Sequence, residues 1–267
     1  MTGGSQAPRP HRASESTPGR LPPILTVTNT KMGFGIPELS EWIATLLPDA
    51  DRLARAGLMV LAPFPALQEV GRLLAGSGLA HGAQNLWPDS PACTGEVSGT
   101  LLAGLGCAYA MVGHAERRRI IGESDSLIAA KAASAAGAGL VPVLCVGEER
   151  LGTVPEAVRA VASQVEPVLE WLPSDAALAV MYEPAWTIGG DRAADSGRFV
   201  AVADLLSRLT AERTGPVRFL YGGAVTPGVF TRLAAAARLD GVGLGRAAYD
   251  AAMRREVIAE VLDRPPA

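Results

Sequence analysis

Eight short, almost uninterrupted apolar runs alternate with segments of helical spacing, and this alternation limits the fold more tightly than anything else in the chain. The runs are Ile24–Thr28, Leu58–Ala62, Leu79–Ala83, Ala108–Val112, Val141–Cys145, Ala177–Tyr182, Val217–Tyr221 and Leu239–Leu244. Strands that are apolar on both sides belong to parallel sheets whose faces are covered by helices. An open doubly wound sheet and a closed barrel both meet that condition. The open sheet usually carries a Gly-rich phosphate turn after its first strand, whereas here that turn reads Asn29-Thr30-Lys31-Met32. A closed (β/α)8 barrel of the α/β class is therefore expected, and 267 residues suit one such barrel. No composition shift divides the chain after its first twenty residues. Residues 21–267 are expected to form a single catalytic domain, and residues 1–20, rich in Pro, Ser, Gly and Arg, a disordered extension.

The intervening segments carry helix signals. Ser124-Asp125 heads an Ala-rich helix that stops at Gly137. Thr153 precedes Val154-Pro155 and a helix to about Trp171. Asp195 or Ser196 starts another, with Phe199, Val202, Leu205, Leu206 and Leu209 on one face. Thr226 is expected to cap a helix with Pro227 in its first position.

Hydrophobic residues make up 48% of the chain and aromatics only 5%, so a large core must be built mainly from Ala, Val, Leu and Ile. A net charge of −3 offers no broad attraction for nucleic acid or acidic membranes. Cys93, Cys107 and Cys145 have no metal-like spacing, and with three histidines in all neither a zinc site nor a disulfide framework is indicated. No apolar stretch approaches membrane-spanning length, and the N-terminus lacks a hydrophobic signal region. The expectation is a reduced, cytoplasmic protein without metal or cofactor.

In such barrels reactive groups sit at the C-terminal ends of the strands. The sixth run ends in Glu183, followed by Pro184, which biases Glu183 towards an extended backbone. Trp186 and the pair Gly189-Gly190 then suit a loop that swings as one piece, so Glu183 is a candidate base beneath a mobile lid. The first run ends at Asn29 and Lys31, two apart, which in extended chain places both on one side. The fourth ends His114-Ala115-Glu116, the seventh Tyr221-Gly222-Gly223-Ala224, and the eighth Gly243-Leu244-Gly245-Arg246.

Together these groups suit proton abstraction beside a carbonyl. Glu183 takes the proton. His114, at the head of a helical turn that disfavours a protonated ring, donates to the carbonyl oxygen. Lys31 stabilises the negative charge that develops, and the glycine turns after the seventh and eighth runs offer backbone N–H groups to a phosphate. Glu96 and Arg117 read as structural ion-pairing residues, with Arg117 beside Glu116; Glu116 fits either a structural or a supporting role.

These residues, in this order, resemble the triosephosphate isomerase family over residue 24 to the end. The resemblance is carried by Asn29-Thr30-Lys31-Met32, Ala83-Gln84-Asn85, Thr94-Gly95-Glu96, Gly113 to Arg118, Cys145 to Glu148, Tyr182 to Gly190 and Tyr221-Gly222-Gly223. It implies a TIM barrel and a dimeric, cofactor-free enzyme. The reaction implied interconverts dihydroxyacetone phosphate and glyceraldehyde 3-phosphate through an enediolate, a step of glycolysis and gluconeogenesis. It also implies Glu183 as base, His114 as electrophile and Lys31 with Asn29 as electrostatic partners, which is the family's established assignment. Phosphate would be held by Gly189, Gly222, Gly223, Ala224, Gly245 and Arg246, with Glu116 and Tyr221 in support. Pro184 to Ala193 would be the closing lid. The loop Leu86–Glu96, with Trp87, would enter a partner subunit, bringing Thr94 near the partner's site.

The sequence departs from the family at five positions. Ala224 replaces a serine, Gly245-Arg246 a Gly-Gly pair, Asp191 a lid glycine, Ala115 a serine, and Thr30 a tryptophan. Aspartate tolerates a left-handed backbone better than most residues, which would let Asp191 replace the glycine. Arg246 could clasp phosphate, point to solvent or narrow the pocket. A triose phosphate isomerase is the first reading. An isomerase of a larger ketose phosphate such as a tetrulose phosphate, and a weakly active phosphate-ligand binding protein, are the alternatives.

Overall fold

The computed structural model describes residues 21–89 and 91–264. The expected extension 1–20 lies outside the described residues. Eight parallel strands close into a barrel in sequence order: β1 Leu25–Asn29, β2 Leu58–Ala62, β3 Ala80–Ala83, β4 Tyr109–Val112, β5 Val141–Val146, β6 Leu178–Tyr182, β7 Val217–Tyr221 and β8 Gly241–Gly243. β1 pairs with β8 to complete the ring, Leu25 opposite Gly241 and Val27 opposite Gly243. The single-domain (β/α)8 architecture read from the sequence is thus the one observed. β2 and β7 have the expected limits and the other strands differ by one or two residues at an end, most at β8, where Leu239 and Asp240 precede the ladder and Leu244 follows it.

The two apolar faces of each strand serve two separate cores. Leu25, Val27, Met59, Leu61, Tyr109, Met111, Val143, Cys145, Ala179, Met181 and Leu220 fill the barrel interior. Their neighbours of opposite parity, among them Val60, Ala110, Val112, Leu144, Val180, Phe219 and Tyr221, pack outward against the helices. Side chains of period two facing two apolar layers explain why the runs lack polar alternation.

The helices start where the sequence indicates. Ser124 caps Asp125–Gly137 through its side chain, Thr153 forms a capping box with Glu156 on Val154–Trp171, and Asp195 caps Ser196–Leu209. Thr226 is an exception. The helix after β7 begins at Val229 behind Gly228, which adopts a left-handed φ of 86°. Glu260, from the last helix, takes over the capping: its carboxylate accepts from the Gly228 and Thr231 N–H groups at 2.5 and 3.1 Å. Among the described residues no helix is long and apolar enough to cross a membrane.

Candidate active site

Strand parity carries two functional side chains to the barrel mouth. Leu25 and Val27 point inward, so Asn29 does too; Ala179 and Met181 point inward, so Glu183 follows them. β4 reaches the mouth differently. Gly113 has a φ of 69°, which turns the chain so that His114 opens the helical segment, its carbonyl accepting from the Arg117 and Arg118 N–H groups. Lys31 does not share Asn29's side by simple extension, as the spacing had suggested. Its φ of 50° makes it the one left-handed non-glycine residue described. Its N–H is held by Asn29 Oδ1 at 2.8 Å and its carbonyl by Gln84 Nε2 at 3.0 Å. Such a conformation costs about 1 kcal/mol or more and persists only where surrounding bonds impose it.

Asn29, Lys31, His114 and Glu183 line one cavity of about 700 Å³, together with Gly189, Gly223, Ala224, Gly245 and Arg246. Glu183 Oε2 stands 3.4 Å from His114 Nε2. That oxygen is buried and has no hydrogen-bond partner within the geometric limits. A carboxylate oxygen left without a partner beside an empty space is available to a substrate. His114 Nδ1 accepts the Glu116 N–H at 3.2 Å, which leaves the neutral ring's proton on Nε2, aimed into the cavity. Lys31 Nζ bonds Glu116 Oε1 at 2.5 Å. Burial works against ionisation of Glu116, but the hydrogen bond and charge of Lys31 outweigh it and hold the carboxyl below its ordinary value. The Cys145 thiol behind the site is pushed well up by burial and further by the Glu183 carboxylate, so it stays protonated.

Gly222 lies outside the cavity wall, yet the site requires its lack of a side chain: a Cβ there would come within 3.0 Å of Glu183 Cβ. At Gly223, with φ 105°, a Cβ would come within 2.1 Å of Thr187 Oγ1 in the lid. Tyr221 also stands behind the cavity, its hydroxyl accepting the Ala194 N–H at 2.8 Å. Glu116 lines a neighbouring hollow of about 430 Å³ instead. Thr94 is exposed at the tip of the loop after β3 and lines neither space.

The lid is docked at both ends. Ala185–Thr187 forms one 3-10 turn, closed by the Thr187 N–H and hydroxyl on the Pro184 carbonyl at 2.9 and 2.7 Å. Trp186 Nε1 donates to Glu148 Oε1 at 3.0 Å, and Tyr182 and Arg198 donate to the same carboxylate. Asp191 does not take the left-handed backbone anticipated for it; Gly189 does, at φ 75°. Arg246 is exposed at the cavity wall. Its Nη2 reaches the lid, donating to Gly190 O at 2.6 Å and Asp191 Oδ1 at 2.5 Å.

The sequence profile of the triosephosphate isomerase family matches residues 24–261. The chain belongs to that family. Among its relatives are the L-erythrulose-1-phosphate isomerase of Pectobacterium atrosepticum, 39% identical over 86% of this chain and 92% of that protein. Two triosephosphate isomerases also match: that of Symbiobacterium thermophilum, 37% identical over 85% and 92% of the two chains, and that of Thiobacillus denitrificans, 40% identical over 84% and 92%. All three relatives are isomerases, and the sugar phosphates they are named for differ.

Other side chains of this family member are paired differently from the sequence reading. Arg117 pairs with Glu123 at 2.6 Å rather than with Glu116. Glu96 is exposed and forms no ion pair among the described residues. Leu86 is buried in its own barrel and Trp87 packs beneath Lys131, so among the described residues of that loop the exposed ones are Asp89 and residues 91–96. Lys131 itself was not anticipated. It is fully buried, bonded to Glu123 at 2.5 Å and Asn85 at 2.8 Å, and burial draws its ammonium below the usual lysine range despite Glu123. Its spacing with Ile128, Ala132 and Ala135 places it on the buried helix face, a signal present in the sequence.

Proposed function

We propose that the protein interconverts dihydroxyacetone phosphate and glyceraldehyde 3-phosphate. The observation that carries this reading is the open carboxylate oxygen of Glu183, 3.4 Å from an N–H of His114, in a cavity shared with Lys31 and Asn29. Glu183 takes a proton from the carbon beside the carbonyl. His114 Nε2–H donates to the carbonyl oxygen as it gains charge, and Lys31 with Asn29 supports the resulting enediolate. A proton then passes from the hydroxyl oxygen to the former carbonyl oxygen, beside His114 Nε2, and Glu183 returns its proton to the neighbouring carbon, which exchanges ketose for aldose. Backbone N–H groups of Gly189, Gly223, Ala224, Gly245 and Arg246 seat the phosphate, with Gly222 and Tyr221 behind them. The reaction moves only protons and uses groups supplied by the chain itself.

A tetrulose phosphate is the second reading. It is favoured by the altered phosphate turns at Ala224 and Arg246 and by a relative named as an erythrulose-phosphate isomerase. The deciding assay compares kcat/KM for dihydroxyacetone phosphate and L-erythrulose 1-phosphate. We expect the triose to be preferred; a preference of tenfold or more for the tetrulose reverses the assignment, and turnover of neither by folded protein removes both.

The protein is further proposed to act as a cytoplasmic homodimer in glycolysis and gluconeogenesis. Met32, Ile120 and Ile121 are 94%, 67% and 62% exposed around the second hollow, and the protruding residues 91–96, with Thr94, offer a segment to fill it. A monomer by light scattering at assay concentration would remove the dimer.

A further inference from the structure

Two residues that depart from the family meet each other in space. Arg246 follows β8 and Asp191 lies in the lid, yet the guanidinium of the first touches the carboxylate of the second. Both of its lid bonds leave from Nη2, and Nε and Nη1 have no protein partner among the described residues. Arg246 also lines the cavity with Gly245 and with Ala224, which carries no hydroxyl. Of the two cationic side chains that line this cavity, Lys31 is engaged by Glu116, whereas Arg246 retains free donors.

As an isolated ion pair this contact contributes little. The two side chains are 65% and 92% exposed, and water screens such pairs effectively. Its geometry matters more than its strength. A guanidinium presents a planar fork of five N–H donors, suited to an anion with several oxygens. Holding one nitrogen on the lid fixes the plane of that fork and reduces the ordering left to be done when an anion binds.

We propose that Asp191 is a positioning residue. With the lid down, it and the Gly190 carbonyl hold Arg246 across the phosphate seat through Nη2, and Nε and Nη1 donate to the substrate phosphate. Lid closure and phosphate recognition then become one event, and the side-chain donor missing at Ala224 is supplied by Arg246. This inference rests on the sugar-phosphate reading above. It also assigns Asp191 a cost: without Arg246, its carboxylate faces the phosphate with no intervening cation.

The test is a mutant cycle with kcat and KM measured on the preferred substrate, and inorganic phosphate binding measured by calorimetry. Asp191→Ala should raise KM about threefold to fivefold with kcat within about twofold, the range expected of an exposed pair. Arg246→Ala should raise KM about 10- to 100-fold, as loss of a charge-assisted bond to phosphate predicts. The double variant should bind phosphate better than Arg246→Ala alone, since the repelling carboxylate is gone. Arg246→Lys keeps the charge without the fork and should fall between wild type and Arg246→Ala. Arg208→Ala, which removes an exposed charge on the helix Ser196–Leu209 outside the cavity lining, should leave KM unchanged. An Asp191→Ala variant with unchanged or lower KM overturns the proposal, as does a double variant no better than Arg246→Ala. Failure of wild type to turn over either sugar phosphate would sink the enzymatic reading. The calorimetric comparison of Asp191→Ala with wild type would still decide the positioning role.

Discussion

Glu183→Gln removes the base while keeping the shape of the side chain. The Glu183 side chain is 12% exposed, with one oxygen 3.4 Å from His114 Nε2. A glutamine fits the same volume and still offers its carbonyl oxygen to that N–H, so packing and substrate orientation should be preserved. Its amide nitrogen takes the place of one carboxylate oxygen, so the stability change should stay within about 1 kcal/mol. The amide cannot accept the substrate proton. General-base catalysis is worth about 10²–10⁴ in rate, equivalent to about 2.7–5.4 kcal/mol of barrier. We expect kcat to fall by that factor with KM within about threefold. Proton exchange between substrate and deuterated solvent, followed by NMR, reads the same step without a coupling enzyme and should slow in parallel. A variant that retains more than a tenth of wild-type exchange would show that another group takes the proton. A KM raised in proportion to the loss in kcat/KM, with kcat unchanged, would instead make Glu183 a binding residue.

Two further perturbations separate lid docking from surface electrostatics. Gly223→Ala forces a left-handed backbone on alanine and drives a methyl group to within 2.1 Å of Thr187 Oγ1. It should cost about 1–3 kcal/mol in stability and lower kcat/KM about a hundredfold, because the lid can no longer seat; near-normal activity would show that Thr187 is free to move away. For Glu116, burial is outweighed by Lys31 and the folded carboxyl lies below its ordinary value, so the unfolded chain binds the proton more readily. The stabilisation is therefore present above about pH 4.5 and lost as pH falls through the folded value. The melting-temperature difference between wild type and Glu116→Gln should be constant from pH 8 to about 5 and shrink below it, whereas a gap that widens in acid contradicts the assignment.

What could be read from the sequence follows from the range of the forces involved. Strands were legible because both their faces are apolar, and helix starts because Ser124, Thr153 and Asp195 cap their own helices through local bonds. Asn29 and Glu183 were legible as rim residues because strand parity carries them there. The Val229 helix was misjudged because its cap comes from Glu260, about thirty residues further along the chain. Lys31 reaches the cavity by a backbone conformation that Gln84 and Asn29 impose, which no local propensity records. Asp191 and Arg246 were each conspicuous, but a pair 55 residues apart in sequence shows its purpose only when the fold brings its members together.

The same contacts divide the lid into a fixed end and a releasing end. At its start, Trp186 is tied to Glu148, a buried carboxylate that also accepts from Tyr182 and from the buried Arg198. A hydrogen bond to a charged group is worth about 1.5–3 kcal/mol, and losing Trp186 would leave the buried Glu148 carboxylate one donor short. At the tip, Asp191 and Arg246 lie in water, where separating such a pair costs about 0.2–1 kcal/mol. A lid held by two unequal fastenings opens at the weaker one. In the proposed mechanism the weaker fastening lies at the phosphate seat, so the tip would release product while the Glu148 network keeps the segment next to Glu183 in place. Glu183 would then meet each new substrate with its geometry intact, and the proposed contacts of the phosphate with Arg246 would supply the energy that holds the tip down.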